Sequence, residues 1–172
     1  MVSLFANDSI IFAGISNEGA FRSTNNGLNW ERSHGGLPNS LISTPQAFII
    51  KDQFVITGCS NNKMFRSSNN GTNWSPIGEF LSNYYNEFLI VENNLFLCTQ
   101  LFQGISKSTN NGMNWSPSNT GLTNLYVWSL AILGSDIFAG TNYSQMYHSS
   151  DLGASWVLLY WFAGKWNFQN LI

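Results

Sequence analysis

The chain has 172 residues, a length typical of one domain, and only 9% of them are charged, with a net charge of −2. Disordered chains are rich in charge and poor in aromatic residues, so the aromatic content of 15% argues against disorder. The seven basic residues are scattered, whereas proteins that bind nucleic acid cluster their Lys and Arg. We therefore expect a folded domain that does not bind nucleic acid.

In chain order, one nine-residue pattern appears four times, each time after a short apolar run. It reads "RSTNNGLNW" to Trp30, "RSSNNGTNW" to Trp74, "KSTNNGMNW" to Trp115 and "HSSDLGASW" to Trp156, at intervals of 44, 41 and 41 residues. The run "IFAG" precedes the first and fourth patterns, "FVITG" the second and "LFLC" the third. The segments "GLPN", "FLSN" and "GLTN" follow the first three patterns. Such recurrence in phase indicates four copies of one structural unit.

The last unit shows its predicted elements most clearly. Four runs rich in β-branched and aromatic residues, "LYVWSLAI", "DIFAGT", "QMYHSS" and "SWVLLY", are separated by turn-forming residues and predict four strands. No segment of the chain shows a sustained helical period. A period in the low forties with four strands per unit is typical of a propeller blade. The predicted fold is therefore all-β, a β-propeller of four-stranded antiparallel blades.

We predict a single domain over residues 1–172, with blades at about 1–34, 35–78, 79–119 and 120–160. The four blades either close a ring or belong to a larger propeller, and two chains can also combine into eight blades through their ends. Residues 161–172 are expected to be a closing or orphan first strand, because "KWNFQNLI" matches "NYYNEFLI" of the third unit. An unpaired apolar tail favours aggregation, so we expect residues 165–172 to form a paired strand.

The pattern Ser-x-Asn/Asp-x-Gly-x-x-Trp resembles the Asp box, or BNR repeat, of sialidases, sortilin-type receptors, some glycoside hydrolases, a photosystem assembly factor and exported bacterial repeat proteins. The resemblance covers all four units and implies a turn on the blade periphery, between the third and fourth strands, away from any ligand. The Asn or Asp side chain is suited to bind turn amides, the Gly to a positive φ, and the Trp to packing over the turn. These structural residues are Ser23, Asn25, Gly27, Trp30, Ser67, Asn69, Gly71, Trp74, Ser108, Asn110, Gly112, Trp115, Ser149, Asp151, Gly153 and Trp156.

The sialidase resemblance raises the question of catalysis. Glycoside hydrolysis needs two placed carboxylates or, in sialidases, a Tyr nucleophile with an acid and an arginine cluster. Arg22 and Arg66 share one repeat position with Lys107 and His148, which we interpret as a solvent face of the third strands. Asn replaces Asp in three boxes, and hard cations prefer carboxylates. We expect no catalytic residue, no cofactor and no metal, with a fragment of a sialidase or glycoside hydrolase as the alternative.

One face of the blades is predicted to carry any ligand. The loops between blades and the loops between second and third strands share this face, opposite the Asp boxes. Its aromatic residues suit sugars and protein partners alike, or else they pack between neighbouring blades. They are Tyr84, Tyr85, Phe102, Tyr126 and Tyr143. The expected function is a non-catalytic binding or scaffold module for a protein or carbohydrate ligand.

The sequence also bears on location and on the cysteines. No signal peptide opens these residues, and "WVLLYWFAG" is shorter than the roughly 20 residues of a membrane span, so membrane insertion is not expected. The resemblance implies an extracellular or cell-surface location as part of a longer chain, with an intracellular or organellar assembly factor as the alternative. Cys59 and Cys98 fall near the same point of successive units, where Gly14 and Gly140 stand in the others, and we expect buried thiols, with a disulfide as the alternative.

Overall fold

The computed structural model describes residues 2–38, 44–60, 63–79, 85–99 and 102–161. Within these ranges, sixteen strands form four antiparallel sheets of four strands each, and the strands of every sheet pair in chain order. The first blade comprises β1 (Val2–Ala6), β2 (Ile11–Ile15), β3 (Gly19–Ser23) and β4 (Glu31–Arg32), and the second β5 (Pro45–Lys51), β6 (Phe54–Cys59), β7 (Lys63–Ser67) and β8 (Ser75–Glu79). The third comprises β9 (Tyr85–Val91), β10 (Asn94–Thr99), β11 (Ile105–Ser108) and β12 (Ser116–Pro117), and the fourth β13 (Val127–Leu133), β14 (Asp136–Thr141), β15 (Gln145–Ser149) and β16 (Val157–Trp161).

The predicted fold class, an all-β propeller of four-stranded antiparallel blades, is confirmed. The run "DIFAGT" of the last unit is strand β14, as its composition predicts. The strand predicted over residues 165–172 lies outside the described residues. Between β14 and β15, Asn142–Ser144 form a single 3₁₀ turn. In the described part of the chain, no helix is long and apolar enough to cross a membrane.

Consecutive blades pack face to face through their apolar side chains. Phe12 of β2 stacks on Phe48 of β5 with ring centroids 5.4 Å apart, and Trp74 meets Phe12 edge-on at 6.1 Å. A second cluster joins blades two and three, and a third joins blades three and four, where Phe96 and Trp156 are both buried. Burial of these large side chains is the main force that holds the blades together.

The outermost strands alternate in length along the chain. Strands β4 and β12 have two residues each, whereas β8 and β16 have five. Where the short strands end, a buried serine follows, Ser33 in the first blade and Ser118 in the third. We call blades one and three short-edged and blades two and four long-edged. The repeating unit of the structure is therefore a pair of blades.

Both cysteines lie at the ends of second strands. Cys59 and Cys98, within the described residues, are buried and form no disulfide, so the expected burial is confirmed. Burial, and then the negative charge of Glu87, raises the pKa of Cys98 to about 12. Such a thiol stays protonated at neutral pH and packs as a small apolar side chain.

Candidate binding site

The turns that carry the repeated pattern join the third and fourth strands of each blade, and we call them the motif turns (residues 23–30, 67–74, 108–115 and 149–156). In the third of them, Gly112 N donates to Ser108 Oγ at 3.0 Å, and Ser108 Oγ donates to Asn110 Oδ1 at 3.1 Å. Asn114 N donates to the same Oδ1 at 2.9 Å. These three hydrogen bonds recur in the other three turns. The serine and the amide or carboxyl group thus satisfy the amides of the turn itself.

The motif glycine is required by its backbone and by its neighbour. Gly112 has φ +76°, a conformation that side chains with a Cβ rarely adopt. A Cβ at Gly112 would also lie 2.6 Å from Cδ1 of Ile56 in the preceding blade. The motif turn therefore packs its backbone directly on the preceding blade.

In the fourth motif turn, an aspartate, Asp151, replaces the asparagine that the other three turns have at this position. Besides the recurring bonds, Ser155 Oγ donates to Asp151 Oδ2 at 2.5 Å. These hydrogen bonds, that of the Ser155 hydroxyl first, lower the pKa of Asp151 to about 2. The carboxylate is thus held charged by its own turn.

The cationic residues of the third strands do not form the solvent face that the sequence analysis predicts, and that interpretation is wrong. Lys107 Nζ donates to the carbonyl oxygen of Leu152 in the next blade at 2.7 Å. Arg66 makes the equivalent bond to Asn111, and Arg22 to Asn70. Each of these side chains is half-buried and ties its blade to the following motif turn. The sequence pattern shows that these cationic residues share one strand position, but it does not show the carbonyl oxygen of the next blade.

The aromatic residues predicted for the ligand face separate into two groups. Tyr84 lies outside the described residues. Tyr85 is buried in the cluster between blades two and three, where a Cβ on Gly58 would lie 2.3 Å from its Cγ. Burial raises the pKa of Tyr85 above its usual range. Tyr85 therefore packs between blades and does not belong to the exposed aromatic residues of the predicted ligand face.

The other three aromatic residues, Phe102, Tyr126 and Tyr143, form what we call the aromatic platform. The rings of Phe102 and Tyr126 lie 4.0 Å apart between centroids, with an interplanar angle of 55°. Phe102 is 64% exposed and Tyr143 is 74% exposed. Phe102 and Tyr143 therefore expose aromatic rings to solvent on the loops of blades three and four.

Backbone hydrogen bonds bring the three loops of the platform together. Gly104 N donates to the Leu125 carbonyl oxygen at 3.0 Å, which joins the β10–β11 loop to the segment before β13. Asn142 N donates to the Tyr126 carbonyl oxygen at 3.1 Å, which joins the same segment to the β14–β15 turn. The loop between blades and the loops between second and third strands therefore lie on one face, as the sequence analysis predicts.

Two residues of the platform have a strained backbone. Phe102 has φ 51° and Tyr143 has φ 59°, in the left-handed region that bulky residues seldom adopt. Such strain costs of order 1–3 kcal/mol per residue and is concentrated at functional sites. Both side chains are exposed, so burial of the rings does not offset the backbone strain.

Asparagine side chains, which the sequence analysis did not single out, hold the loops of the platform in place. Asn124 Nδ2 donates to Gln145 Oε1 and to Asn142 Oδ1, both at 2.9 Å. Asn119 accepts from Ile105 N at 2.8 Å and donates to the Gln103 carbonyl oxygen at 2.8 Å. The only signal in the sequence is the density of Asn in "SNTGLTN".

Among the residues that the structure describes, no three His, Cys, Asp or Glu side chains are grouped so that they could hold a metal ion. His148 lies 3.4 Å from Asp136 and against the ring of Phe138. The ion pair Arg22–Glu31 joins β3 and β4, and Arg32 of β4 pairs with Glu18 in the turn before β3. The loops of blades three and four are suited to contact a ligand through aromatic rings and amide groups.

No protein-family model matches the chain, and no curated protein matches it. Solved structures do. The chain is similar to YCF48 bound to D1 peptide, with a TM-score of 0.66 and 12% identity over 91% of this chain and 55% of that one. It is similar to the extracellular domain of the one component system BT4673 from B. thetaiotaomicron, with a TM-score of 0.68 and 16% identity over 91% of this chain and 21% of that one. It is also similar to the GH74 enzyme of Niastella koreensis, with a TM-score of 0.61 and 20% identity over 91% of this chain and 24% of that one.

This chain thus spans about half the length of the YCF48 structure and about a quarter or less of the other two. The superposition covers nearly all of the present chain in each case, so the arrangement of its blades is that of the longer proteins. At these identities the likeness establishes the fold, and the fold is that of the β-propeller proteins.

Proposed function

We propose that this chain is a non-catalytic binding module built from Asp-box repeats, and that its aromatic platform binds an uncharged ligand, in the first place a glycan. The observation that carries the proposal is the exposure of Phe102 and Tyr143 at strained backbone positions. Exposed apolar side chains add nothing to the core, and a strained backbone costs stability, so a role in binding accounts for both.

The chemistry of the platform favours a neutral, polar ligand. Aromatic faces accept the C–H side of a sugar ring, and amide groups pair with its hydroxyls. The described segments 102–104, 118–126 and 141–145, which build the platform, contain no charged residue. An ionic ligand would therefore find no opposite charge on these loops, whereas a glycan needs none.

We further propose that the module is exported or displayed at the cell surface as part of a longer chain. The likeness to an extracellular domain from B. thetaiotaomicron supports this location. The residues that carry the Asp-box resemblance also support it, because such repeats are common in exported bacterial proteins.

Two other functions have an observation in their favour. The similar YCF48 structure holds a D1 peptide, which supports an assembly factor that binds a polypeptide. The likeness to a GH74 enzyme supports a fragment of a glycoside hydrolase. Hydrolysis of sialosides or β-glucans by the purified chain above a buffer blank would favour the second of these over the proposed function.

A glycan array with the purified chain tests the proposed function. We expect binding to one or a few neutral glycans, followed by titration of the bound glycan in solution. Phe102→Ala and Tyr143→Ala should each weaken this binding at least about 10-fold, the equivalent of one lost stacking contact. Met113→Ala is the matched control, because Met113 is an exposed apolar residue of a motif turn, and it should leave binding unchanged.

Binding that both platform variants leave intact would place the ligand elsewhere and refute the role of the platform. An empty array, together with platform-dependent binding of extended peptides, would favour the polypeptide ligand instead.

A further inference from the structure

The first blade exposes residues on the face that, in the other blades, packs against the preceding blade. Leu4 is 70% exposed, whereas the residues in the same register, Phe48, Phe88 and Leu130, are between 4% and 7% exposed. Trp30 is 43% exposed, whereas Trp74 is buried against the first blade. We call this surface, with Leu4 and Trp30, the leading face of the first blade.

The fourth blade exposes the opposite face in the same manner. Leu159, three residues after the motif Trp, is 46% exposed, whereas Ile77 at the same position of the second blade is 5% exposed. Phe138 is only half-buried, whereas Phe12 and Phe96 at its position are fully buried under the glycine of the next motif turn. We call this surface, with Phe138 and Leu159, the trailing face of the fourth blade.

These two faces do not cover one another in the part of the chain that the structure describes. The three apolar clusters join blade one to two, two to three and three to four. Above Gly27 in the first motif turn, the nearest atoms to an added Cβ belong to Ile11 and Trp30 of the same blade, at 3.8 and 3.9 Å. At Gly71 and Gly153 the equivalent space is filled by a phenylalanine of the preceding blade, 2.5 Å away.

The junctions between blades are of two kinds. Where a short-edged blade is followed by a long-edged one, the motif Trp donates to the carbonyl oxygen of the buried serine, from Trp74 to Ser33 at 3.1 Å and from Trp156 to Ser118 at 2.8 Å. Where a long-edged blade is followed by a short-edged one, Ile77 takes the place of the serine. There Trp115 Nε1 donates to Gly112 O within its own turn at 3.0 Å.

The leading and trailing faces match the second kind of junction. Trp30 Nε1 donates to Gly27 O within its own turn at 3.0 Å, the same arrangement as that of Trp115. The trailing face belongs to a long-edged blade and presents Leu159 where the second blade presents Ile77. The first blade is therefore already arranged to follow a blade like the fourth.

We propose that copies of this chain associate head to tail, with the trailing face of one copy seated on the leading face of the next. The new junction repeats the existing junction between blades two and three. Phe138 covers Gly27 of the neighbouring copy as Ile56 covers Gly112, and Leu159 packs where Ile77 packs. The two faces of one copy are different surfaces, so the contact is heterologous and closes into a ring when the rotation allows, with eight blades for two copies.

The mass of the purified chain in solution tests this association. Native mass spectrometry and light scattering should give at least two chains of 19.2 kDa each, with a dissociation that follows dilution. Leu4→Glu and Leu159→Glu should each weaken association at least about 100-fold, because each buries a charge in an apolar junction. Both positions are exposed in the single chain, so both variants should fold like the parent, as circular dichroism and a thermal melt will show.

Val157→Glu is the matched control on the same strand as Leu159. Its equivalents, Glu31, Ser75 and Ser116, remain exposed within junctions that are formed, so a Glu at this position should leave association unchanged. A mixture of the Leu4→Glu and Leu159→Glu chains provides the decisive measurement. The first variant keeps an intact trailing face and the second an intact leading face, so the mixture forms one intact junction, while the second junction of a closed ring carries both substitutions. The mixture should therefore give a one-to-one heterodimer that is weaker than the parent dimer but tighter than either variant alone, as mass labelling of one variant will show.

A monomeric parent would overturn the proposal. So would association that survives both Leu4→Glu and Leu159→Glu, or a mixture of the two variants that associates no more tightly than either variant alone. Association lost in Val157→Glu as well would refute the specific contact with Leu159. None of these outcomes depends on glycan binding by the platform, so this inference and the proposed function are tested separately.

Discussion

Trp74 Nε1 donates a hydrogen bond to the carbonyl oxygen of Ser33, in the preceding blade, at 3.1 Å. Ser33 is buried, and its own hydroxyl donates to the carbonyl oxygen of Gly71 at 2.6 Å, so the two blades exchange hydrogen bonds at one point. The motif Trp of a long-edged blade is thus a residue of the junction, whereas that of a short-edged blade bonds within its own turn. This difference leads to the first prediction.

Trp74→Ala should destabilise the fold by about 3–5 kcal/mol, the usual cost of truncating a large buried aromatic side chain. Trp30→Ala should cost about 1–2 kcal/mol, since the indole is already partly exposed. Denaturant melts in the Leu159→Glu background, which keeps the chain monomeric on the association proposed above, measure both. Equal losses at the two positions would show that the junction bond and its burial add nothing.

A second prediction uses two glycines with the same backbone conformation, Gly27 at φ +81° and Gly71 at φ +77°. Alanine at either position meets the same backbone strain, about 1 kcal/mol. At Gly71 the new Cβ would also lie 2.5 Å from Phe12, and such overpacking adds about 1–3 kcal/mol. In the same monomeric background, Gly71→Ala should therefore lower the free energy of unfolding clearly more than Gly27→Ala.

A third prediction concerns the side-chain amide of Asn110 in the third motif turn. Asn110→Ala should cost about 1–3 kcal/mol, because the amide of Asn114 and the hydroxyl of Ser108 lose their acceptor. Asn110→Asp should keep most of the stability at neutral pH, because Asp151 makes the same bonds in the fourth turn. Urea melts compare the two variants with the parent. An Asp variant as unstable as the Ala variant would contradict the role of the acceptor oxygen.

The sequence predicts the fold because every unit repeats the same local signals. The spacing of the motif tryptophans sets the blade, and the glycines between β-branched runs set the turns, so β14 lies where "DIFAGT" does. The alternation of short-edged and long-edged blades is recognised only in the structure, where Ser33 and Ser118 occupy the position that Ile77 occupies in the second blade. A single substitution in an outer strand carries no periodic signal, so its meaning depends on the neighbouring blade.

The candidate site is predicted in part. Topology places Tyr85 and Tyr126 on one face, but burial depends on what lies opposite each ring. Gly58 leaves room for Tyr85 to fill the space between blades, whereas Tyr126 meets Phe102 at the surface. Likewise, Lys107 looks solvent-facing on its own strand until the next blade brings the Leu152 carbonyl oxygen within 2.7 Å. Contacts across blades are long-range, and strand patterns do not encode them.

A fourth prediction concerns the pH dependence of stability. The folded-state pKa of Asp151 is about 2, below its ordinary value of 3.8, so its charge stabilises the fold above about pH 4, and this contribution is lost as the pH falls toward 2. Asp151→Asn removes the titration, and the advantage of the parent over this variant should shrink across that window. Urea melts at several pH values from 2 to 5 measure it. Parallel curves for parent and variant would show that the turn does not hold the carboxylate charged.

The last prediction separates the stability of the aromatic platform from its binding. Tyr143 has φ 59°, and Asn adopts this left-handed conformation more readily than any aromatic residue. Because the Tyr143 side chain is largely exposed, its loss removes little packing, and Tyr143→Asn should be neutral or about 1 kcal/mol more stable than the parent. Tyr126→Ala is the contrast, since its ring packs on Phe102 and its loss should cost stability. Thermal melts rank the three proteins, and glycan titration of the same samples should show that Tyr143→Asn binds more weakly although it is no less stable. A Tyr143→Asn protein destabilised by more than about 1 kcal/mol would mean that the tyrosine is there for packing, and its strained backbone would no longer point to a ligand.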